Sequence, residues 1–381
     1  MPTGNESEPR QSSFLEGWCV TKRGAKKQHS KITLDDIACA AGLSIATVSR
    51  VINGSARVNP SLHERVIKAA VKLGFDLERK GSSRIVAFLL CNRAVLHPFH
   101  SAVLVGAEAH CAANDYGVLF LPLQYSLKLS WKELHIPRLL QNRKLVRGVI
   151  VAGTNSQNLL DALTDRGLRV VCLGNNMVGE WDKDKNNAVF FDDIGGAHEA
   201  TGYLQSLGHR DIWYIGNCQL TWFARRRQGY CRAMEEAGLA PLVCDLNIDN
   251  TEDLGYLGTK SVLTGGQPIT AILAGDDTIA RGVYRALSDQ ALRIPADVSV
   301  VGVNDTLEAR VLNPPLTSVR VFMEQLGKQM AELLLKGISQ LEVSPQILTL
   351  PTQLIRRESC RPLLQTEQGV RKDEVSIEKQ W

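Results

Sequence analysis

Between Lys31 and Gly74 the apolar residues recur at helical spacing. Thr33 stands where a cap is needed, and Asp35 and Asp36 follow in the first turn, against the positive end of the helix dipole. Leu34, Ile37, Ala38 and Ala41 then form one stripe, which Gly42-Leu43-Ser44 interrupts. Ser44 opens a second helix, Ile45 to Asn53, with Val48 and Val51 facing inward and Asn53-Gly54 as its stop. Asn59 and Pro60 open a third, which buries Leu62, Val66, Ala69, Ala70 and Leu73 before Gly74. Three short helices with a tight break between the first two predict a helix-turn-helix.

Beyond Arg84 the pattern changes. Strand-like apolar runs occupy Ile85–Leu90, Val118–Leu123, Gly148–Ala152, Arg169–Leu173, Ile212–Ile215, Thr270–Ala274 and Val298–Val303. Helical patterns lie between them at Val103–Asn114, Asn158–Arg166, Gly195–Leu207, Arg226–Ala237, Asp253–Leu263 and Thr278–Gln290. This alternation predicts parallel sheets covered on both faces. About eleven strands are too many for one compact sheet of this kind, so two lobes are expected, with a ligand cleft beyond the carboxyl ends of their strands.

Charge sharpens the division. Residues 1–84 carry 14 Lys/Arg and 8 Asp/Glu, and the remaining residues 30 and 32, so a basic unit precedes a near-neutral body. That places a polyanionic partner at one end. The nine cysteines (Cys19, Cys39, Cys91, Cys111, Cys172, Cys218, Cys231, Cys244 and Cys360) are scattered without a C-x-x-C pair. They read as reduced thiols, not as a disulfide framework or a zinc site. With no apolar run of membrane-spanning length and no signal-peptide core, the chain reads as cytoplasmic.

The second helix offers Ile45, Ala46, Ser49 and Arg50 on its outer, N-terminal side, as a recognition helix does. Arg50 has the fork for guanine O6 and N7, and Ile45 and Ala46 suit thymine methyls. Ser44, Thr47 and Asn53 suit phosphates or helix caps. The string Ile32 to Gly74 resembles the DNA-binding headpiece of the lactose-repressor family. The resemblance is carried by Asp36-Ile37-Ala38, Ala41-Gly42-Leu43-Ser44, Ala46-Thr47-Val48-Ser49-Arg50-Val51-Ile52-Asn53 and Glu64-Arg65-Val66. It continues more loosely to about residue 360. Carriers there are His97-Pro98-Phe99-His100, Arg147-Gly148-Val149-Ile150, Gly208-His209-Arg210, Arg226, Gly229-Tyr230, Ile294-Pro295-Ala296-Asp297-Val298-Ser299-Val300-Val301-Gly302 and Pro314-Pro315-Leu316-Thr317.

The resemblance implies a small all-α headpiece plus a two-lobed α/β effector domain like a periplasmic binding protein, with parallel doubly wound sheets. The expected limits are an arm at 1–30, the headpiece at 31–75, a linker at 76–84, the effector domain at 85–360 and a charged tail at 361–381. It implies a homodimeric repressor on a pseudo-palindromic operator, modulated by a small molecule, a carbohydrate or derivative. No cofactor, metal or catalysis is expected. The linker departs from the family: the usual Pro-Asn-x-x-Ala hinge motif is absent, and Leu77 is the only apolar candidate for a minor-groove wedge. DNA binding is therefore expected to lean more on the headpieces and on phosphate contacts from Arg79, Lys80 and Arg84.

By resemblance, the effector-facing residues are Phe99, His100, Asn175 after Gly174, Phe191, Arg226, Asp276 and Asn304. Sugar-binding relatives usually carry Asn where this chain has Asp276 and Asp where it has Asn304, so the pair is exchanged. Asp192-Asp193, Asp276-Asp277 and Asn304-Asp305 sit at strand ends. They read either as carboxylate pairs for glycoside chemistry or, more simply, as ligand contacts and helix caps. A pure solute-binding protein is the other alternative, opposed by the headpiece.

Overall fold

Local capping builds the first three helices. In α1 (Leu34–Ala41), Asp36 N–H donates to Thr33 Oγ1 at 3.3 Å, and the Asp36 carboxylate accepts from Thr33 N–H at 2.7 Å. This reciprocal box satisfies donors the helix cannot. The helix ends at Gly42, whose φ of 61° is left-handed and open to glycine without a Cβ penalty. In α2 (Ile45–Asn53), Ser44 Oγ accepts from Thr47 N–H at 3.2 Å. In α3 (Pro60–Leu73), Asn59 Oδ1 accepts from Ser61 N–H at 3.0 Å. Arg65 Nη2 reaches back to Ala41 O at 2.9 Å and ties α3 to the end of α1.

A computed structural model describes residues 32–53, 59–73, 83–93, 97–142, 144–339 and 344–363. Two compact units divide the chain, residues 1–82 and 83–381. The expected arm, most of the linker with Leu77, Arg79 and Lys80, and the tail beyond residue 363 lie outside the described residues. In the first unit Ile37, Ala38, Ala41, Val48, Val51, Val66, Ala69 and Ala70 make the core, with Leu73 half-buried against it; Leu62 is half-buried but not part of that packing.

The second unit opens with β1 (Ile85–Cys91), α4 (Pro98–Ala113), β2 (Gly117–Leu123) and β3 (Gly148–Gly153). There follow the short β4 (Asn155–Ser156), α5 (Gln157–Asp165), β5 (Arg169–Leu173), the short β6 (Met177–Val178) and β7 (Asn187–Phe191). The chain then crosses to α6 (Asp193–Ser206), β8 (Ile212–Gly216), α7 (Thr221–Glu236), β9 (Leu242–Asp245) and α8 (Thr251–Thr264). β10 (Ala271–Ala274), α9 (Asp277–Asp289), β11 (Ser299–Asn304), α10 (Leu307–Val311) and β12 (Thr317–Val321) complete that lobe. It returns through α11 (Met323–Ser339) and β13 (Ile347–Leu350), and crosses again to β14 (Thr352–Ile355).

Two six-stranded sheets result, ordered β13-β7-β5-β3-β1-β2 and β14-β12-β11-β10-β8-β9. Within them every pairing is parallel except β12 with β14. The strand period of two sends alternate residues to opposite layers. Val86, Phe88 and Leu90 of β1 pack with α4 and α11, while Ala87, Leu89 and Cys91 pack with α5. In the second sheet, α8 and α9 cover one face through Leu254, Val262, Ile279 and Val283. There α6 and α7 cover the other through Ala200, Leu204, Tyr230 and Met234.

Three crossings join the lobes, at 191–193, 321–323 and 350–352. The carboxyl ends of β1, β5, β7, β8, β9, β10 and β11 therefore lead into the segments that line one cleft, the position such sheets reserve for ligands. Helices α4 and α7 each begin five residues earlier than apolar spacing alone predicts, at Pro98 and Thr221. Both early turns face the cleft.

Candidate functional site

In the first unit, α2 turns Val48 and Val51 into the core and presents a polar and small-residue face outward. Ile45 is half exposed (50%), Ala46 and Arg50 are exposed, and Thr47 and Ser49 are half-buried. Ile45 thus leaves half of an apolar side chain to solvent at the helix start. The Ser44 and Thr47 side chains lie 2.9 Å apart at the helix N-terminus. Asn53 is the last residue of α2. Arg84 pairs at the surface with Asp115 at 2.8 Å.

The second unit holds a cavity of about 150 Å³ between its lobes. From the first lobe it is lined by Arg93 after β1, His97, Phe99 and His100 at the start of α4, Asn176 after β5, and Phe191 at the end of β7. From the second it is lined by Trp222, Phe223 and Arg226 in α7, Asp249 and Thr251 before and in α8, Asp276 capping α9, and Asn304 ending β11.

Arg226 is the centre of the polar side. It is 2% exposed, and donates through Nη1 to Gly275 O at 2.5 Å and through Nη2 to Asn304 Oδ1 at 3.0 Å. Its Nε is buried without a protein partner, as are Nδ1 of His97 and Nδ1 of His100. Buried polar atoms are normally satisfied, and all three belong to residues that line the cavity. Asp276 caps α9 by accepting from Ile279 N–H at 2.7 Å. Asn304 holds a φ of 113°, a conformation uncommon for any side-chain-bearing residue and found where surrounding contacts enforce it.

Aromatic rings form the apolar side. Phe99 and Phe191 lie 5.7 Å apart between centroids, and Phe99 meets His100 edge to face at 5.2 Å. Arg93 stacks over Trp222 at 3.9 Å, so a residue of one lobe covers a ring of the other. Burial lowers the Arg93 guanidinium to about 10, against the favourable charges of Asp276 and Asp249. Burial also lowers His100, to about 3, with the neighbouring His97 and Arg93 charges adding to the shift. The same cause lowers His97 and raises Asp276, each partly offset by the other's charge. Both histidines are thus neutral at physiological pH, each with one donor and one acceptor nitrogen.

Six of the seven expected effector residues line this cavity: Phe99, His100, Phe191, Arg226, Asp276 and Asn304. Asn175 does not. It is fully buried, and its amide brackets the Phe191 backbone, donating to Phe191 O at 2.8 Å and accepting from Phe191 N–H at 3.0 Å. Its neighbour Asn176 lines the cavity instead. The acid pairs do not meet as catalytic carboxylates. Asp192 caps α6 through Gly195 N–H at 2.8 Å, and Asp193 pairs with Arg225 at 2.7 Å. Asp277 and Asp305 turn into hydrogen bonds away from the cavity lining.

Arg93, His97, Asn176, Trp222, Phe223, Asp249 and Thr251 were not anticipated. Trp222 was findable: it precedes Arg226 by four residues, one turn along the same helix face. Arg93 was not, because it follows a strand end where no periodicity constrains side-chain direction.

A helix-turn-helix with an outward reading face, joined to a two-lobed domain around a polar and aromatic cavity, defines a ligand-sensing DNA-binding protein. Residues 33–76 match the family of bacterial regulatory proteins of the lacI type, and residues 201–360 match the periplasmic binding protein-like domain. The ribose operon repressor of Haemophilus influenzae is 32% identical over 345 residues, covering 87% of this chain and 99% of that protein. The regulator CelR of Thermobifida fusca is 29% identical, covering 86% and 98%. Among solved structures, a CelR–cellobiose complex superposes with a TM-score of 0.63 at 29% identity, covering 86% of this chain and 99% of that one. The lac repressor dimer on its operator shares the fold, with a TM-score of 0.62 at 22% identity, covering 87% and 100%. The chain belongs to the lacI family of bacterial regulatory proteins. It is a DNA-binding transcription regulator with an effector domain, and its relatives are regulators, not enzymes.

Proposed function

We propose that this regulator is a homodimeric repressor whose operator affinity is set by a carbohydrate in the interlobe cavity. The observation that carries the effector reading is a cavity whose lining combines the polar residues His97, His100, Arg226, Asp276 and Asn304 with the aromatic Phe99, Phe191 and Trp222. Hydroxyl groups suit such polar residues because each hydroxyl both donates and accepts, and the C–H face of a sugar ring suits an aromatic surface. Relatives named for ribose and bound to cellobiose support the ligand class.

On DNA, the exposed N-terminal face of α2 enters the major groove, with Arg50 on a guanine, Ile45 and Ala46 on thymine methyls, Ser49 beside them, and Ser44, Thr47 and Asn53 toward the backbone. Two headpieces read half-sites about 10 bp apart or a multiple of that spacing. Arg79 and Lys80 add phosphate contacts. Bound sugar changes DNA affinity because it binds the two lobe arrangements unequally. Calorimetric titration of the purified protein with D-ribose and cellobiose tests the effector reading. Saturable heat with wild type that disappears in Arg226→Ala supports it; equal heat in both relocates the site.

A further inference from the structure

Each cavity residue at the end of β10 and β11 is followed by an acid that faces elsewhere. Asp276 is followed by Asp277, and Asn304 by Asp305. Ser318, on the neighbouring β12, lies between these two acids. Its Oγ accepts from Asp305 N–H at 3.0 Å, and its own proton goes to Asp277 Oδ1 at 2.6 Å. The other Asp277 oxygen accepts from Thr306 N–H at 2.7 Å and Thr306 Oγ1 at 3.0 Å. The Asp305 carboxylate accepts from Arg320 Nε at 2.7 Å and from Arg357 Nη2, and its side chain is fully buried.

These contacts fix a strained segment. Asn304 and Asp305 both have positive φ, 113° and 54°. Non-glycine residues hold such angles only where their surroundings over-determine them. Arg226 holds Asn304 from the cavity side, and Ser318, Arg320 and Arg357 hold Asp305 from the other. The packing leaves no slack: a Cβ on Gly302 would stand 2.5 Å from Asp277 Oδ1 and 2.7 Å from Leu316 Cδ2.

We propose that Asp277, Ser318 and Asp305 form a buried positioning relay that sets the separation of Asp276 and Asn304, and so determines which arrangement of ligand hydroxyls the cavity accepts. None of the three lines the cavity. They act through the two residues that do, and join the starts of α9 and α10 to β12. Selectivity among sugars resides partly in residues the sugar never touches. The proposal rests on the reading of the cavity as the effector site.

Two full-length variants break the relay independently. Ser318→Ala removes the shared hydroxyl, and Asp277→Asn replaces one of the two acceptor oxygens with a donor NH2, so that either Ser318 or Thr306 loses its acceptor. Ser359→Ala is the control: it removes another fully buried hydroxyl, bonded to Val300 O and Thr317 N–H beyond the relay. Crystal structures of the variants and calorimetric titrations with D-ribose, D-xylose, D-glucose and cellobiose provide the readouts. In Ser318→Ala and Asp277→Asn, Asn304 Oδ1 moves out of hydrogen-bond reach of Arg226, and the ratio of affinities between sugars shifts by roughly fivefold or more. Ser359→Ala keeps both the contact and the ratios. Retention of the Arg226–Asn304 bond in both relay variants overturns the proposal, as does uniform weakening with unchanged ratios. If wild type takes up none of the four sugars, the carbohydrate reading fails, and the relay is judged by the Arg226–Asn304 geometry alone.

Discussion

Arg226 and Asn304 meet across 78 residues of chain, Nη2 to Oδ1 at 3.0 Å, and the contact ties the first turns of α7 to the end of β11. The same guanidinium holds Gly275 O, so one side chain links three strand-end segments of the second lobe. Lysine has neither the fork nor the planarity to replace it. Arg226→Ala and Arg226→Lys should each weaken effector binding by about 1.5–3 kcal/mol, the range for a hydrogen bond to a charged group. DNA affinity without effector should be unchanged. Calorimetry and a gel shift separate the two effects.

The outward face of α2 makes a second prediction. Arg50→Ala should lower affinity for the selected operator by ~1–3 kcal/mol and narrow the gap to random DNA. A salt titration decides what was lost: equal weakening on both DNAs, with a shallower salt slope, marks a phosphate contact instead of a base contact.

Headpiece stability should depend on the turn between α1 and α2. Gly42 sits at φ 61°, and Leu43 N–H donates to Ala38 O at 3.0 Å to close the helix end. Gly42→Ala puts a Cβ into the left-handed region, at a cost of roughly 1–2 kcal/mol. Urea unfolding followed by the loss of helical circular dichroism should show the headpiece transition moving to lower denaturant, while the effector-domain transition stays in place.

Two buried groups give opposite pH dependences. Burial raises Asp277 to about 7, although Ser318 and Thr306 donate to it. In the unfolded chain its carboxyl loses its proton near ~3.9. The native state therefore holds a proton the unfolded state has lost, and this residue makes stability fall as pH rises from about 4 to about 7. Asp277→Asn should remove that slope. His100 behaves the other way: burial keeps it neutral down to about 3. The unfolded chain takes up a proton below ~6.5, so stability falls as pH drops from there toward 3. His100→Gln should flatten that limb. Tm measured against pH for wild type and the two variants resolves both windows.

The sequence made the headpiece legible nearly to the residue, because caps, apolar stripes and the glycine turn all act locally. Thr33, Ser44 and Asn59 cap as their residue types predict. Seven strands, six of them interior and β2 at a sheet edge, were legible as apolar runs, since parallel strands buried on both faces need no alternation. The strands β7, β9, β12, β13 and β14 were not. β13 is ILTL and β14 is TQLI, each only half buried; β13 pairs with β7, 159 residues earlier, and β14 with β12 on the far side of two lobe crossings. Helix α11 was legible but not read: Leu326, Met330, Leu333, Leu334 and Gly337 fall on one buried stripe at helical spacing.

At the cavity, residues tied to strand ends by the family's spacing fell into place, as with Arg226, Asp276 and Asn304. The choice between adjacent residues did not. Asn175 and Asn176 differ by one step of a tight turn, and only the fold shows that the first brackets Phe191 while the second lines the cavity. The lobe-to-lobe stack of Arg93 on Trp222 joins residues 129 positions apart and follows from closure of the cleft, which no local pattern encodes.

The most direct test of the account is operator binding measured with and without sugar. Full-length protein is used to select a DNA site from a randomised duplex pool, and the affinity for that site is then measured with no addition, with saturating D-ribose and with saturating cellobiose, for wild type and Arg226→Ala. The account predicts a pseudo-palindromic site, a change in wild-type affinity of about fivefold to 150-fold with one of the sugars, and no change in Arg226→Ala. An operator whose affinity shifts equally in both proteins, or one that responds to neither sugar in either protein, contradicts it.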